Sequence, residues 1–118
     1  MVQPAYAVGV GGALGAVCRY AIGRRLTHEW VPVGTLAVNI LGSFLLGLAV
    51  FGGLGGDVSL FFAAGFCGSL TTYSSFSVDT VQLWTGEPRR GAVYVLLMSL
   101  CCLLAAAAAF GIVRFGPV

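Results

Sequence analysis

The sequence predicts an all-α membrane protein built from four transmembrane helices. Of its 118 residues, 58% are hydrophobic and only 8% are charged, whereas a soluble domain carries roughly 25% charged residues. A spanning helix needs about 20 mostly apolar residues, so four such helices with short loops account for nearly the whole chain. Most of the charged residues fall in small clusters between the apolar stretches. We therefore expect residues 1–118 to form a single four-helix transmembrane domain.

The apolar stretches and their boundary residues define the four spans. The predicted spans cover residues 4–22, 33–54, 59–83 and 93–113. In the first span, Gly11 and Gly15 have G-x-x-x-G spacing, which lets helix backbones approach closely in lipid. Trp30 and Trp84 fall at span ends, where amphipathic aromatic rings favour the membrane interface. Because the loops are short, consecutive helices are expected to be antiparallel neighbours.

The third span contains an unusual polar run. Seven of the ten residues in 68–77 are glycine, serine or threonine. In a regular helix, such hydroxyls bond back to carbonyls one turn earlier, which explains one or two of them but not a run around every face. A helix broken at mid-membrane is the better interpretation, since non-helical backbone is tolerated at that depth when it is buried in protein or lines a water-filled cavity. Carbonyls freed at such a break bind small cations.

The second span carries a polar face. Thr35, Asn39, Ser43 and Gly47 are spaced four apart, so they lie along one side of a helix. An unpaired amide in hydrocarbon costs several kcal/mol, so Asn39 requires a partner. Interhelical hydrogen bonding and pore lining explain it equally well from the residues alone.

Nothing in the sequence indicates an enzyme. His28 stands alone in a loop, without a nucleophile or carboxylate arranged around it. The four cysteines lie in apolar stretches and form no C-x-x-C pair, so they are interpreted as buried small hydrophobic residues rather than metal ligands.

Three stretches resemble the CrcB/Fluc fluoride channels, a family of small four-helix membrane proteins. They are residues 11–20 (GGALGAVCRY), 34–39 (GTLAVN) and 65–77 (GFCGSLTTYSSFS). The third stretch is highly specific, and the order, spacing and total length agree over essentially the whole chain.

The resemblance implies an antiparallel dimer with two pores and a structural Na⁺ at the centre of the interface. Backbone carbonyls of Gly68 and Thr71 would hold that ion. The implied pore-lining positions are Asn39, Ser43, Tyr73, Ser74, Phe76, Ser77 and Tyr94. Arg19 matches a vestibule arginine. Asp79 matches an acidic residue that is glutamate in the family, and Tyr73 stands where the family has phenylalanine.

The implied function is passive export of fluoride across a prokaryotic plasma membrane by a multi-pass protein, which lowers the cytoplasmic fluoride concentration. Fluoride is small and strongly hydrated, so a selective path must replace water with donors such as the Asn39 amide and a series of hydroxyls. Aromatic ring edges carry partial positive charge and face an anion without trapping it. Conduction requires binding that is favourable but weak enough to release the ion.

Two other functions are compatible with a small four-helix protein. A dimeric multidrug transporter needs a membrane-embedded carboxylate in its first span, and the first span here has none. A non-conducting structural subunit explains the glycines but not the polar run in the third span.

Charge asymmetry predicts a fixed orientation. The loops after the first and third spans carry Arg24, Arg25, Arg89 and Arg90, against Arg114 alone on the opposite side. Because basic loops stay in the cytoplasm, both termini are predicted to lie outside it. The antiparallel second subunit is therefore either a copy of this chain or a similar chain with the opposite charge bias.

Overall fold

The computed structural model describes residues 3–117, and every regular element in that range is helical. The elements are α1 (Pro4–Arg25), α2 (Val33–Phe51), α3 (Gly56–Ser59), a π-helical segment (Leu60–Cys67), α4 (Gly68–Leu70), α5 (Tyr73–Gly86) and α6 (Pro88–Phe115). The all-α prediction is confirmed. The single domain predicted over 1–118 stays a prediction, and residues 1, 2 and 118 lie outside the described range.

Three of the described helices, α1, α2 and α6, are long and apolar enough to cross a membrane. Two of them extend beyond their predicted spans. α1 continues past residue 22 to Arg25, and α6 begins at Pro88, since proline at the first helical position sacrifices no hydrogen bond. α2 stops at Phe51, short of residue 54, because Gly53 adopts a left-handed conformation (φ +71°) that ends the helix.

The third hydrophobic segment is in two pieces. α3, the π-helical segment and α4 follow one another without a gap up to Leu70. Thr71 and Thr72 then have extended backbones, with φ/ψ of −80°/157° and −149°/119°, and we call these two residues the interruption. α5 begins at Tyr73, and its N-terminus is capped by Thr72, whose hydroxyl accepts the Ser75 N–H at 3.1 Å.

Glycine brings α1 against the first piece of this segment. A Cβ atom added at Gly11 or Gly15 would collide with the backbone carbonyls of Phe61 and Phe66, respectively. On the other side, a Cβ at Gly65 would lie 2.7 Å from the Val8 carbonyl oxygen. The G-x-x-x-G spacing therefore marks a contact of backbone against backbone.

The remaining helices pack together on the other side of the molecule. α2 packs against α6, and an added Cβ at Gly47 would lie 2.8 Å from the Ala109 Cβ. α5 also packs on α6. The loop before α2 is fixed to the start of α6 by Arg90, whose Nε donates to the Trp30 carbonyl at 3.0 Å and whose guanidinium lies 5.9 Å from the centre of the Trp30 ring.

Candidate functional site: the interruption and its surroundings

Asn39 of α2 pairs with the backbone of the interruption. Its Nδ2 donates to the Thr72 carbonyl at 2.9 Å, and its Oδ1 accepts the Thr72 N–H at 2.7 Å. Because Thr72 offers one donor and one acceptor, this pairing fixes the orientation of the amide. Nδ2 also lies 3.5 Å from Sδ of Met98 in α6. Asn39 therefore supplies the bonds that a continuous helix would give Thr72, and one of its N–H groups has only a weak sulfur acceptor.

The same hydrogen bonds free two carbonyl oxygens. In a continuous helix, the Thr72 N–H would donate to Gly68 and the Ser75 N–H would donate to Thr71. Here the first donates to Asn39 and the second to the Thr72 hydroxyl. Gly68 and Thr71 are the positions that the family resemblance implies for Na⁺, and carbonyl oxygens without their helical donors are suitable ligands for a hard cation, although the Thr71 carbonyl also accepts a long hydrogen bond from Arg19. The residues present thus fit the ion.

Arg19 approaches the interruption from α1. Its Nη1 donates to the Thr71 carbonyl at 3.4 Å, a long hydrogen bond, and its side chain is half-buried. It lines a recess of about 240 Å³, which we call the Arg19 recess, together with Tyr20, Gly23, Arg24, Gly34, Thr35, Val38, Thr72 and Ser75. This recess is positively charged and contains several hydroxyl groups, so it is suited to an anion.

A second depression lies on the other side of Thr72. It has a volume of about 290 Å³, and we call it the Phe76 groove. Its walls are Asn39, Thr71, Thr72, Tyr73, Phe76, Met98, Ser99 and Cys102. The Tyr73 and Phe76 ring centroids lie 5.9 Å apart, and Tyr73 is 80% exposed in the single chain. Of the described residues, Thr72 is the one that lines both depressions.

Asp79 joins three helices. Its Oδ2 accepts the Thr35 hydroxyl of α2 at 2.8 Å and the Tyr94 hydroxyl of α6 at 3.2 Å. Tyr94 is fully buried, and its ring lies 5.6 Å from that of Phe76. The carboxylate therefore fixes α5 relative to its neighbours, and Thr35 connects this cluster to the Arg19 recess.

The structure brings only some of the predicted pore positions together. Asn39, Tyr73 and Phe76 line the same groove, and Tyr94 lies directly behind Phe76. Three predicted positions line neither depression: Ser43, Ser74 and Ser77. The Ser77 hydroxyl donates to the Tyr73 carbonyl at 2.9 Å, which is the local bond typical of a helical serine.

Sequence reasoning missed three residues of the site. Thr72 was counted only as one of a run of hydroxyls, although it is the residue that Asn39 pairs with. Cys102 was interpreted with the other cysteines as a buried hydrophobic residue and Met98 was not singled out, but both line the Phe76 groove. Their spacing of four along α6 was the available signal, since it puts them on one face.

The fold and site are those of a membrane-spanning helical protein with a polar, interrupted segment between two depressions. Residues 6–112 match the family described as "CrcB-like protein, Camphor Resistance (CrcB)". The match covers most of the chain, and the chain belongs to this family. The resemblance noted in the sequence is thereby confirmed.

Curated relatives match over much of their own length. The chain is 47% identical to a protein of Haloarcula marismortui named "Fluoride-specific ion channel FluC 2", over 95% of both chains. It is 42% identical to "Fluoride-specific ion channel FluC" of Methanocaldococcus jannaschii, over 88% of this chain and 89% of the relative. A Thermotoga maritima protein of the same name is 38% identical over 75% and 77%, respectively. All three names describe channels, which are not enzymes.

Proposed function

We propose that the chain is a fluoride-specific ion channel that passes fluoride down its gradient out of the cytoplasm, across a prokaryotic plasma membrane. The names of its relatives supply the ion. The observation that carries the proposal is the Asn39–Thr72 pair, because Thr72 lines both the cationic recess and the aromatic groove and Asn39 lines the groove. If fluoride passes this pair, the interruption lies within the membrane. Its polar groups then take the place of the water molecules that hydrate the anion.

Fluoride enters this path through the Arg19 recess. Arg19 attracts the anion, and the hydroxyl groups of Thr35, Thr72 and Ser75 line the same recess. Because Arg19 already donates to the Thr71 carbonyl, its charge is partly compensated. The recess therefore concentrates anions without holding one tightly, as conduction requires.

Past the interruption, Asn39 and two rings provide the next contacts. One Asn39 N–H faces Met98 Sδ at 3.5 Å, and sulfur is a weak acceptor that a fluoride ion readily replaces. The rings of Tyr73 and Phe76 form part of the same wall, and their edges carry partial positive charge. Because neither contact carries a full charge, these groups stabilise the anion without binding it too tightly for release.

The active unit is an antiparallel dimer with Na⁺ between its subunits. Gly68 is exposed in the single chain, and an added Cβ there would meet nothing closer than 3.9 Å. One chain offers the ion only two carbonyl oxygens, from Gly68 and Thr71, whereas an antiparallel second subunit offers two more from the opposite direction. The same subunit covers Tyr73, which is 80% exposed without it.

The second subunit is either a copy of this chain or a similar chain inserted the opposite way. The arginine bias favours one orientation for this sequence, and that favours a separate partner. A reporter fused to the C-terminus measures orientation directly. Signal on the external side alone supports the separate partner, and equal signal on both sides refutes it.

Fluoride efflux from liposomes tests the function. Purified chain, reconstituted alone and with an oppositely biased CrcB protein, is loaded with fluoride or chloride and diluted into ion-free buffer. We expect fluoride to leave far faster than chloride in at least one subunit combination. Equal rates for the two anions, or no fluoride efflux in either combination, would contradict the proposal.

A further inference from the structure

Two sulfur atoms lie in the wall of the Phe76 groove. Met98 and Cys102 are one helical turn apart on α6, and the Cys102 thiol donates to Met98 Sδ at 3.8 Å. Cys102 is half-buried, whereas Met98 is 5% exposed. Both line the groove, so a small solute in it reaches the pair from one side. A thiol and a thioether that line one depression form a potential ligand pair.

The chemistry of this pair selects a soft cation. Thiolate and thioether sulfur bind Cu(I), whereas hard cations favour oxygen ligands. Monovalent d¹⁰ ions accept as few as two ligands, and metal–thiolate bonds are about 2.3 Å long in zinc sites. At the present separation of 3.8 Å, two such bonds meet at an angle of about 110°, and rotation of the two flexible side chains widens this angle toward the linear arrangement that two-coordinate Cu(I) favours. The pair is chemically distinct from the carbonyl oxygens of Gly68 and Thr71.

We propose that Met98 Sδ and Cys102 Sγ bind one Cu(I) ion, and that the bound ion inhibits conduction through the groove. Binding converts the Cys102 thiol to a thiolate, and its proton goes to water, so no electron is transferred. Met98 keeps one lone pair for the Asn39 N–H at 3.5 Å and gives the other to the metal. The ion thus lies beside the N–H group assigned to fluoride, and the inhibitory effect rests on the proposed function.

Competition with a Cu(I) chelator tests the binding. Full-length protein, reduced and kept without oxygen in detergent, is titrated with Cu(I) in the presence of bathocuproine disulfonate. We expect one Cu(I) to be retained per chain. Cys102→Ser should lower the affinity at least tenfold, and Met98→Leu, which keeps the thiol and the side-chain volume, should also weaken binding severalfold.

Cys101→Ser is the matched control, because Cys101 is a half-buried neighbour on the same helix that does not line the groove. It should retain Cu(I) as the unaltered chain does. Loss of binding in Cys101→Ser equal to that in Cys102→Ser would overturn the site, as would an unaltered chain that holds no Cu(I) against the chelator. Elution volume and helical circular dichroism of each variant establish that it is folded. If Cys102→Ser does not fold, Met98→Leu takes its place as the test variant.

Fluoride efflux with and without Cu(I) tests the inhibition, each variant being compared with its own copper-free rate. Flux should fall at least fivefold in the unaltered chain and in Cys101→Ser, and should not change in Cys102→Ser. Copper binding without a fall in flux would overturn the inhibition. Absence of fluoride flux before copper is added would overturn the proposed function and the inhibition with it, while the chelator result would still decide the metal site.

Discussion

The two pieces of the third segment pack against their neighbours in opposite ways. The first piece contacts α1 through glycine, with backbone atoms of both elements touching at Gly11, Gly15 and Gly65. Around the interruption and α5, side-chain hydrogen bonds join the elements, from Asn39 to Thr72 and from Thr35 and Tyr94 to Asp79, although Gly91 of α6 also approaches the Trp84 backbone. One interface depends on the absence of side chains, and the other depends on specific polar ones.

The difference follows from what each interface does. Between lipid-exposed helices, apolar burial gives no drive for association, so close backbone approach supplies the packing energy. A polar group in the same environment requires a partner, and the polar groups around the interruption are paired with one another. Substitutions in the glycine interface should mainly affect folding, whereas substitutions in the polar interface should also affect conduction.

The largest effect is expected from adding a methyl group at Gly15. Gly15→Ala brings a Cβ against the Phe66 carbonyl and to 3.1 Å from the Leu70 N atom, so the two backbones must separate. Overpacking of this kind typically costs about 1–3 kcal/mol. The yield of monodisperse protein on a sizing column should therefore fall sharply. Gly9→Ala is the control, since nothing lies within 4 Å of that added Cβ. Equal yields of the two variants would contradict the claim that folding depends on the close backbone contact at Gly15.

Asn39→Leu should have the next largest effect. It leaves the Thr72 N–H and C=O without the partner that now satisfies both, at a cost of about 1–3 kcal/mol for each buried group. We expect a lower thermal midpoint and a loss of fluoride flux in the protein that still folds. Leu46→Ala, at an exposed position of the same helix that lines neither depression, should retain flux. An Asn39→Leu protein that conducts at the original rate would show that the amide is only structural, or not needed at all.

Replacing sodium should have a moderate effect. An ion that binds only the folded dimer stabilises it by mass action, so the thermal midpoint should fall by several degrees when Na⁺ is exchanged for N-methyl-D-glucamine. The Gly9→Ala protein should show the same fall, because its substitution touches no neighbour. A midpoint that does not respond to the cation in the reconstituted dimer would count against carbonyl ligands at Gly68 and Thr71.

Thr71→Ser should have the smallest effect. The proposed ligand is the backbone carbonyl, and serine keeps the hydroxyl that donates to the Cys67 carbonyl at 3.0 Å. Only the methyl group that packs on Gly42 is lost, and removal of one buried methyl costs about 0.5–1.5 kcal/mol. Fluoride flux should stay within twofold of the original. A loss of flux as complete as that of Asn39→Leu would assign the role to the Thr71 side chain.

The long apolar stretches and the glycines were sufficient to predict the helices and the tight packing of α1, because both are local features of the sequence. The polar run at 68–77 indicated where regular helix is unfavourable, but not which residues have extended backbones. That choice depends on Asn39, which is distant in sequence and bonds to both backbone groups of Thr72. For the same reason, the sequence left open whether Asn39 bonds to another helix or lines a pore. In the structure it bonds to the backbone of Thr72 and also lines the Phe76 groove.

The roles of Met98, Cys102 and the serines could not be obtained from composition. Ser74 and Ser77 match the family motif, yet in the single chain their hydroxyls contact local groups of α5 and Thr72. Met98 and Cys102 look like ordinary apolar residues until α6 is placed against Asn39 and the groove. Tertiary packing, rather than residue type, decides which side of each helix faces the depression.

Fluoride flux through Phe76→Ile tests most directly whether the polar interface carries the ion. Isoleucine keeps an apolar side chain but removes the ring edge that the groove offers to an anion. Phe110→Ile is the matched control, because Phe110 is a phenylalanine of α6 that contacts Phe51 and does not line the groove. We predict that Phe76→Ile loses at least tenfold in fluoride efflux with an unchanged elution volume, while Phe110→Ile conducts normally. A fully conducting Phe76→Ile protein would contradict the account and place the fluoride path elsewhere.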